Sequence, residues 1–74
     1  MGKHDLYKRL AEVFEVDSVD DDFNLEGKWE SLALLSAIAE IDEEFSITVP
    51  VKDLTETKHA SEVFALVERM QAVK

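Results

Sequence analysis

Leu6, Leu10, Val13 and Phe14 stand at i, i+4, i+7 and i+8, which puts them on one face of an α-helix of about three turns. This helical period recurs further along the chain and is the strongest constraint on what it folds into. Ala60, Val63, Phe64, Val67 and Met70 repeat it near the C-terminal end. Between them a second helix is expected from near Ser31 to Phe45, and Pro50 bars its continuation. Ile47-Thr48-Val49 is the one strand-like triplet, and it has no partner strand to pair with.

The stretch from Val16 to Glu30 has no helical period. It holds Asp17, Ser18, Asp20, Asp21, Asp22, Asn24 and Gly27, and reads as a long loop pinned by Phe23, Leu25 and Trp29. A short turn is expected over Asp53 to Thr57, anchored by Leu54. Four helical segments in 74 residues, with no repeat and no linker, predict one domain over residues 1–74. The fold class is therefore all-α: a four-helix bundle with a long first loop and a short third helix.

The second helix carries two apolar stripes. At about 100° per residue, Leu34, Ile38, Ile41 and Phe45 cluster in a narrow arc and form the expected core stripe. Leu32, Leu35 and Ala39 lie roughly 120° away, with Asp42 and Glu43 beside them. A surface helix needs only one such stripe. The second is either covered by the short third helix or exposed as a docking strip ringed by acids.

The net charge of −9 is concentrated. Both ends of the chain balance, and ten acids face a single lysine between Asp17 and Pro50. Such a field repels nucleic acid and anionic membrane, and steers basic protein surfaces toward it. No apolar run is long enough for a membrane span, and no signal-peptide pattern follows Met1, so a cytoplasmic monomer is expected. The chain has no cysteine, which excludes disulfides and a protein thiol nucleophile.

Three chemistries compete for the remaining signals. Asp22 to Gly27 fits the start of an EF-hand loop, but position twelve, which requires a bidentate Glu, is Ala33; no metal site is expected. A hydrolase needs a nucleophile with an oriented base, and no spacing ties His4 or His59 to a serine or carboxylate. Ser31 lies where a loop becomes a helix. It reads either as an ordinary N-cap or as a hydroxyl placed to carry a phosphodiester, which the helix dipole and free N–H groups would favour.

Phe23, then Trp29-Glu30-Ser31-Leu32, then Ile41-Asp42 and Phe45, then Val49-Pro50 together resemble the acyl carrier protein family in an ungapped register. The family's Asp-Ser-Leu at the head of the second helix reads Glu30-Ser31-Leu32 here, preceded by the Trp29 of a variant found in many discrete carriers. Glu30 keeps the charge of the usual Asp and moves the carboxylate outward by one methylene. The resemblance implies a 4'-phosphopantetheine arm on Ser31, attached by a phosphopantetheinyl transferase with magnesium, with Glu30 and Leu32 flanking it. It implies a carrier without catalysis of its own, holding acyl or aminoacyl groups as thioesters for fatty-acid, polyketide or other specialised pathways. Loading and condensing enzymes with basic docking surfaces would read Leu35, Ala39, Asp42 and Glu43. Trp29 either packs the loop onto the helices or adds an aromatic contact beside the arm. An unmodified acidic adaptor that binds proteins through the same helix is the alternative.

Overall fold

The computed structural model describes residues 2–72, and among them the secondary structure is helical. The helices are α1 (Lys3–Phe14), α2 (Ser31–Phe45), α3 (Val51–Thr55) and α4 (Ala60–Ala72), with no β-strand among the described residues. This is the expected all-α, four-helix architecture with a long connection between α1 and α2.

The limits of α2 agree with those read from the sequence, and α3 begins two residues earlier than expected. Pro50, with φ −63° and ψ 135°, is extended and pre-set to start a helix, and its carbonyl accepts the Leu54 N–H at 3.1 Å. The turn therefore begins directly after Pro50 and leaves Thr57 outside it. Ile47 and Val49 are buried and Thr48 is exposed, so this extended triplet contributes to the core without pairing in a sheet.

Leu54 anchors α3 as expected, whereas each of the three longer helices turns a slightly different face inward than its hydropathy predicts. In α2 the buried residues are Ala37, Ile41 and Phe45, with Leu34 and Ile38 half-buried at the edge of the arc. Burial is thus shifted toward Ala37, whose single methyl group permits close packing. In α1, Tyr7 and Ala11 are buried beside Leu6 and Leu10, whereas Val13 and Phe14 are half-buried. In α4, Leu66 joins Ala60, Val63 and Val67 in the core, and Phe64 and Met70 pack against its edge. Phe14 faces the first loop and forms an aromatic group with Phe23 (5.9 Å between centroids) and Trp29 (5.4 Å, edge-on).

The long loop is stitched down at several points. Leu25 is fully buried, and its N–H donates to the Lys58 carbonyl at 2.7 Å. The Ala60 and Ser61 N–H groups donate to the carbonyls of Phe23 and Asp21, and Asn24 forms an isolated antiparallel bridge with His59. The loop thereby supplies acceptors to the otherwise orphaned first N–H groups of α4.

Two polar contacts tie distant parts of the sequence together. The Tyr7 hydroxyl donates to Asp21 at 2.7 Å, and Lys3 Nζ lies 3.2 Å from the same carboxylate. Burial and this hydrogen bond push the Tyr7 phenol well above its ordinary value, whereas the bonds from Tyr7 and Lys3 hold Asp21 below the usual carboxylate range. The linkage has a sign at each end of the pH scale. Asp21 contributes stability above its unfolded pKa and loses it as acid protonates the carboxylate; the phenol loses its contribution as pH rises beyond the ordinary tyrosine value of 10.0. Tyr7→Phe, which keeps the ring, is expected to cost about 1 kcal/mol near neutral pH, since Asp21 is largely exposed and water screens the bond. Urea unfolding at pH 7 and pH 3 checks this: the difference from wild type should shrink at pH 3.

Arg9 reaches from α1 to α2. Its guanidinium donates to Glu44 through Nε (3.1 Å) and Nη2 (2.8 Å), while Nη1 contacts Glu40 and lies 3.4 Å from Glu43. The bonds to Glu40 and Glu44 raise the Arg9 pKa further above its already high value. Charge that is balanced within the first helix by sequence is in fact used across the helix pair, against the acids of α2.

Candidate functional site

The backbone bends sharply into α2. Gly27 adopts φ +78°, a left-handed conformation that glycine takes without steric cost. The Lys28 N–H donates to the Leu25 carbonyl, and Glu30 follows in extended geometry (φ −87°, ψ 162°) as the N-cap residue. Glu30, not Ser31, holds that position, and no side chain caps the helix. The N-cap reading of Ser31 is therefore corrected: Ser31 is the first helical residue, exposed, with its hydroxyl making no capping bond. The cap is displaced by one residue because the Glu30 carbonyl already accepts the Leu34 N–H at 2.8 Å.

The first turn of α2 has no acidic residue, so its backbone N–H groups and the positive end of the helix dipole are uncompensated by side chains within the turn. An exposed hydroxyl that caps nothing, at a helix start lacking carboxylates in its first turn, fits a phosphodiester on Ser31. Glu30 and Leu32 border an open groove of about 370 Å³, shared with Glu12, Val13 and Glu40. No histidine lines this groove. His59 lies elsewhere, 3.1 Å from Glu62 at the start of α4; the two are three residues apart where the helix begins, a carboxylate partner that the spacing alone did not assign to this histidine.

The second apolar stripe of α2 is uncovered. Leu32 is 78% exposed and Leu35 64% exposed, and Ala39, Asp42 and Glu43 are exposed on the same side of the helix. The α3 helix packs on α2 without covering these leucines, and its own Val51 is half exposed. Glu43 lies at the edge of the Arg9 cluster, so the acids of α2 are partly neutralised on one flank.

Trp29 takes the packing role of the two open to it. Its ring meets Phe14 edge-on, and its indole N–H donates to Thr57 Oγ1 (3.1 Å) and to the Thr57 carbonyl (3.2 Å). Thr57 and Arg9 are the structural residues that sequence reasoning missed. A threonine just after a short helix and an arginine on a polar helix face carry no local pattern that marks their partners.

A family model described as the phosphopantetheine attachment site matches residues 4–67. The chain belongs to this phosphopantetheine-binding family. The chain is thereby an acyl-carrier-like domain, of a non-catalytic class that bears 4'-phosphopantetheine covalently on a serine. Domains of this class interact with phosphopantetheinyl transferases and with biosynthetic enzymes. Comparison with curated proteins and with solved structures gives no match. Among the described residues no helix is long and apolar enough to cross a membrane, and no group of three or more His, Cys, Asp or Glu is placed to hold a metal ion.

Proposed function

We propose that Ser31 is the serine that carries the phosphopantetheine arm, and that residues 1–74 form one carrier domain, monomeric, cytoplasmic and without catalysis of its own. The observation that carries this reading is the exposed, non-capping Ser31 hydroxyl at the first position of α2, followed by an exposed Leu32. When bound, the arm supplies the thiol that holds an acyl or aminoacyl group as a thioester, which a chain without cysteine does not provide itself. The protein's residues present the hydroxyl, and the exposed strip of α2 meets the partner. The cargo belongs to a fatty-acid, polyketide or other specialised pathway; Glu30 in place of the usual Asp favours a specialised one.

Leu32, Leu35, Ala39, Asp42 and Glu43 form the surface read by the transferase and by loading and condensing enzymes. Exposed leucines gain by being covered, and the adjoining acids attract basic partners in fast, weak encounters that salt screens. Leu35→Asp is expected to lower the kcat/KM of the transferase about tenfold, as for a moderate interface hot spot. Its melting temperature should stay within about 2 °C of wild type, because an exposed side chain contributes little to folding. Transferase kinetics beside a melting curve check this; unchanged kinetics would remove Leu35 from the interface.

Intact mass after incubation with coenzyme A, magnesium and a broad-specificity phosphopantetheinyl transferase tests the proposal as a whole. One added arm on the wild type and none on Ser31→Ala is the expected result. An unmodified wild type, or an arm that survives the substitution, overturns it, the first outcome leaving an adaptor that binds proteins through α2.

A further inference from the structure

We propose that Trp29 and Thr57 are a positioning pair for Ser31, locking the start of α2 onto the junction between α3 and α4. The proposal rests on Ser31 being the modified serine. It adds two residues that act on Ser31 without touching the arm.

Only Glu30 separates Trp29 from Ser31, so a fixed indole limits where the hydroxyl can be. The fixing is specific. Thr57 is buried, and its hydroxyl proton is directed to the Leu54 carbonyl at 2.6 Å. With that proton engaged, the lone pairs of Oγ1 are left to accept, and one receives the Trp29 indole N–H at 3.1 Å. The Thr57 carbonyl is a second acceptor at 3.2 Å. Leu54, the fully buried anchor of α3, is thereby linked through Thr57 and Trp29 to the head of α2.

The attachment holds at both ends of the segment. Leu25, four residues before Trp29, donates its N–H to the Lys58 carbonyl, the residue after Thr57. Residues 25–29 therefore form a bracket over one short stretch, 57–58, with the left-handed Gly27 making the turn inside it. Nothing in the first turn of α2 replaces this bracket, since no side chain caps the helix. Released from Thr57, the helix start would keep its sequence and exposure and lose its fixed position. A displacement of the order of 1 Å in a reacting group can cost up to about 100-fold in rate.

The test is phosphopantetheine transfer to the full chain at a temperature well below every variant's melting point, with kcat and KM separated. Trp29→Phe keeps the aromatic contact with Phe14 and removes the N–H; Thr57→Val keeps volume and the backbone carbonyl but removes Oγ1; Thr57→Ser restores the hydroxyl. The expected order of kcat loss is Trp29→Phe, about tenfold, then Thr57→Val, about threefold, with Thr57→Ser close to wild type. KM should be unchanged throughout, because the exposed strip on α2 is intact. The double variant Trp29→Phe/Thr57→Val should be no slower than Trp29→Phe alone, since the indole bond to Oγ1 that Thr57→Val removes is already lost in Trp29→Phe. Wild-type kcat in Trp29→Phe overturns the proposal, as does a Thr57→Ser variant as slow as Thr57→Val. A wild type that accepts no arm at Ser31 overturns both readings, and a modified wild type with indifferent variants overturns this one alone.

Discussion

Ser31→Ala is expected to abolish arm attachment completely while leaving the fold intact. The other described serines do not offer an equivalent site. Ser36 is half-buried within α2, and Ser46 is the left-handed C-cap residue of that helix (φ 59°). Ser18 is exposed in the acidic first loop, next to Asp17. Ser61 is the closest competitor, exposed in the first turn of α4. However, Glu62 stands beside it, and the bonds from His59 and the Lys58 backbone hold that carboxylate below its usual pKa. Glu30 likewise stands beside Ser31, and the two helix starts differ instead in their N–H groups: those of Ala60 and Ser61 are already taken by the carbonyls of Phe23 and Asp21, which leaves less there for an anionic phosphodiester. The fold should tolerate the change because Ser31 makes no capping bond and alanine is the better helix former. The pair of measurements is intact mass and melting temperature. A lost arm with an unchanged melting temperature assigns the chemistry to the hydroxyl; a lost arm with a collapsed fold would not.

Leu25→Ala is the substitution expected to do most damage to the fold. Leu25 belongs to the long loop, yet it is fully buried among residues of the helical core. Removing three carbons from such a site costs about 3 kcal/mol, the lost transfer energy adding to the cavity left behind. A domain of this size commands only about 4–11 kcal/mol in total. The melting temperature should fall by about 15 °C. A shift of only a few degrees would mean that the loop lies on the core without completing it. Leu25 also carries the N–H that bonds to Lys58, so its displacement would loosen the bracket before Ser31.

The leucine shows how far the sequence reaches. Its apolar character in an acidic, aperiodic stretch marks it as a pin, because burying a leucine is one of the few ways such a stretch can be held. What it is pinned to is not legible in the residues. The partner is the backbone of Lys58, and a carbonyl has no residue type to signal it. Thr57 is hidden for a similar reason, being a polar residue satisfied by a backbone carbonyl on one side and an indole from 28 positions away on the other. Ala37 and Leu66 escape the helical pattern because hydropathy ranks side chains and burial depends on where neighbouring helices press. Ser31 itself is placed within one residue by its sequence context. The error, cap against first helical position, matters chemically because it frees the hydroxyl.

Local rules were enough for the number and kind of elements, the extent of α2, the stop at Pro50 and the membership of the phosphopantetheine-binding family. Each depends on spacing along the chain or on the conformational limits of a single residue. The tertiary structure decided the rest. It left Leu32 and Leu35 uncovered, turned Arg9 onto the acids of α2, and joined Trp29 to Thr57. Those outcomes depend on which surfaces meet once the helices pack, and a helical period states that a face is apolar without stating what will lie against it.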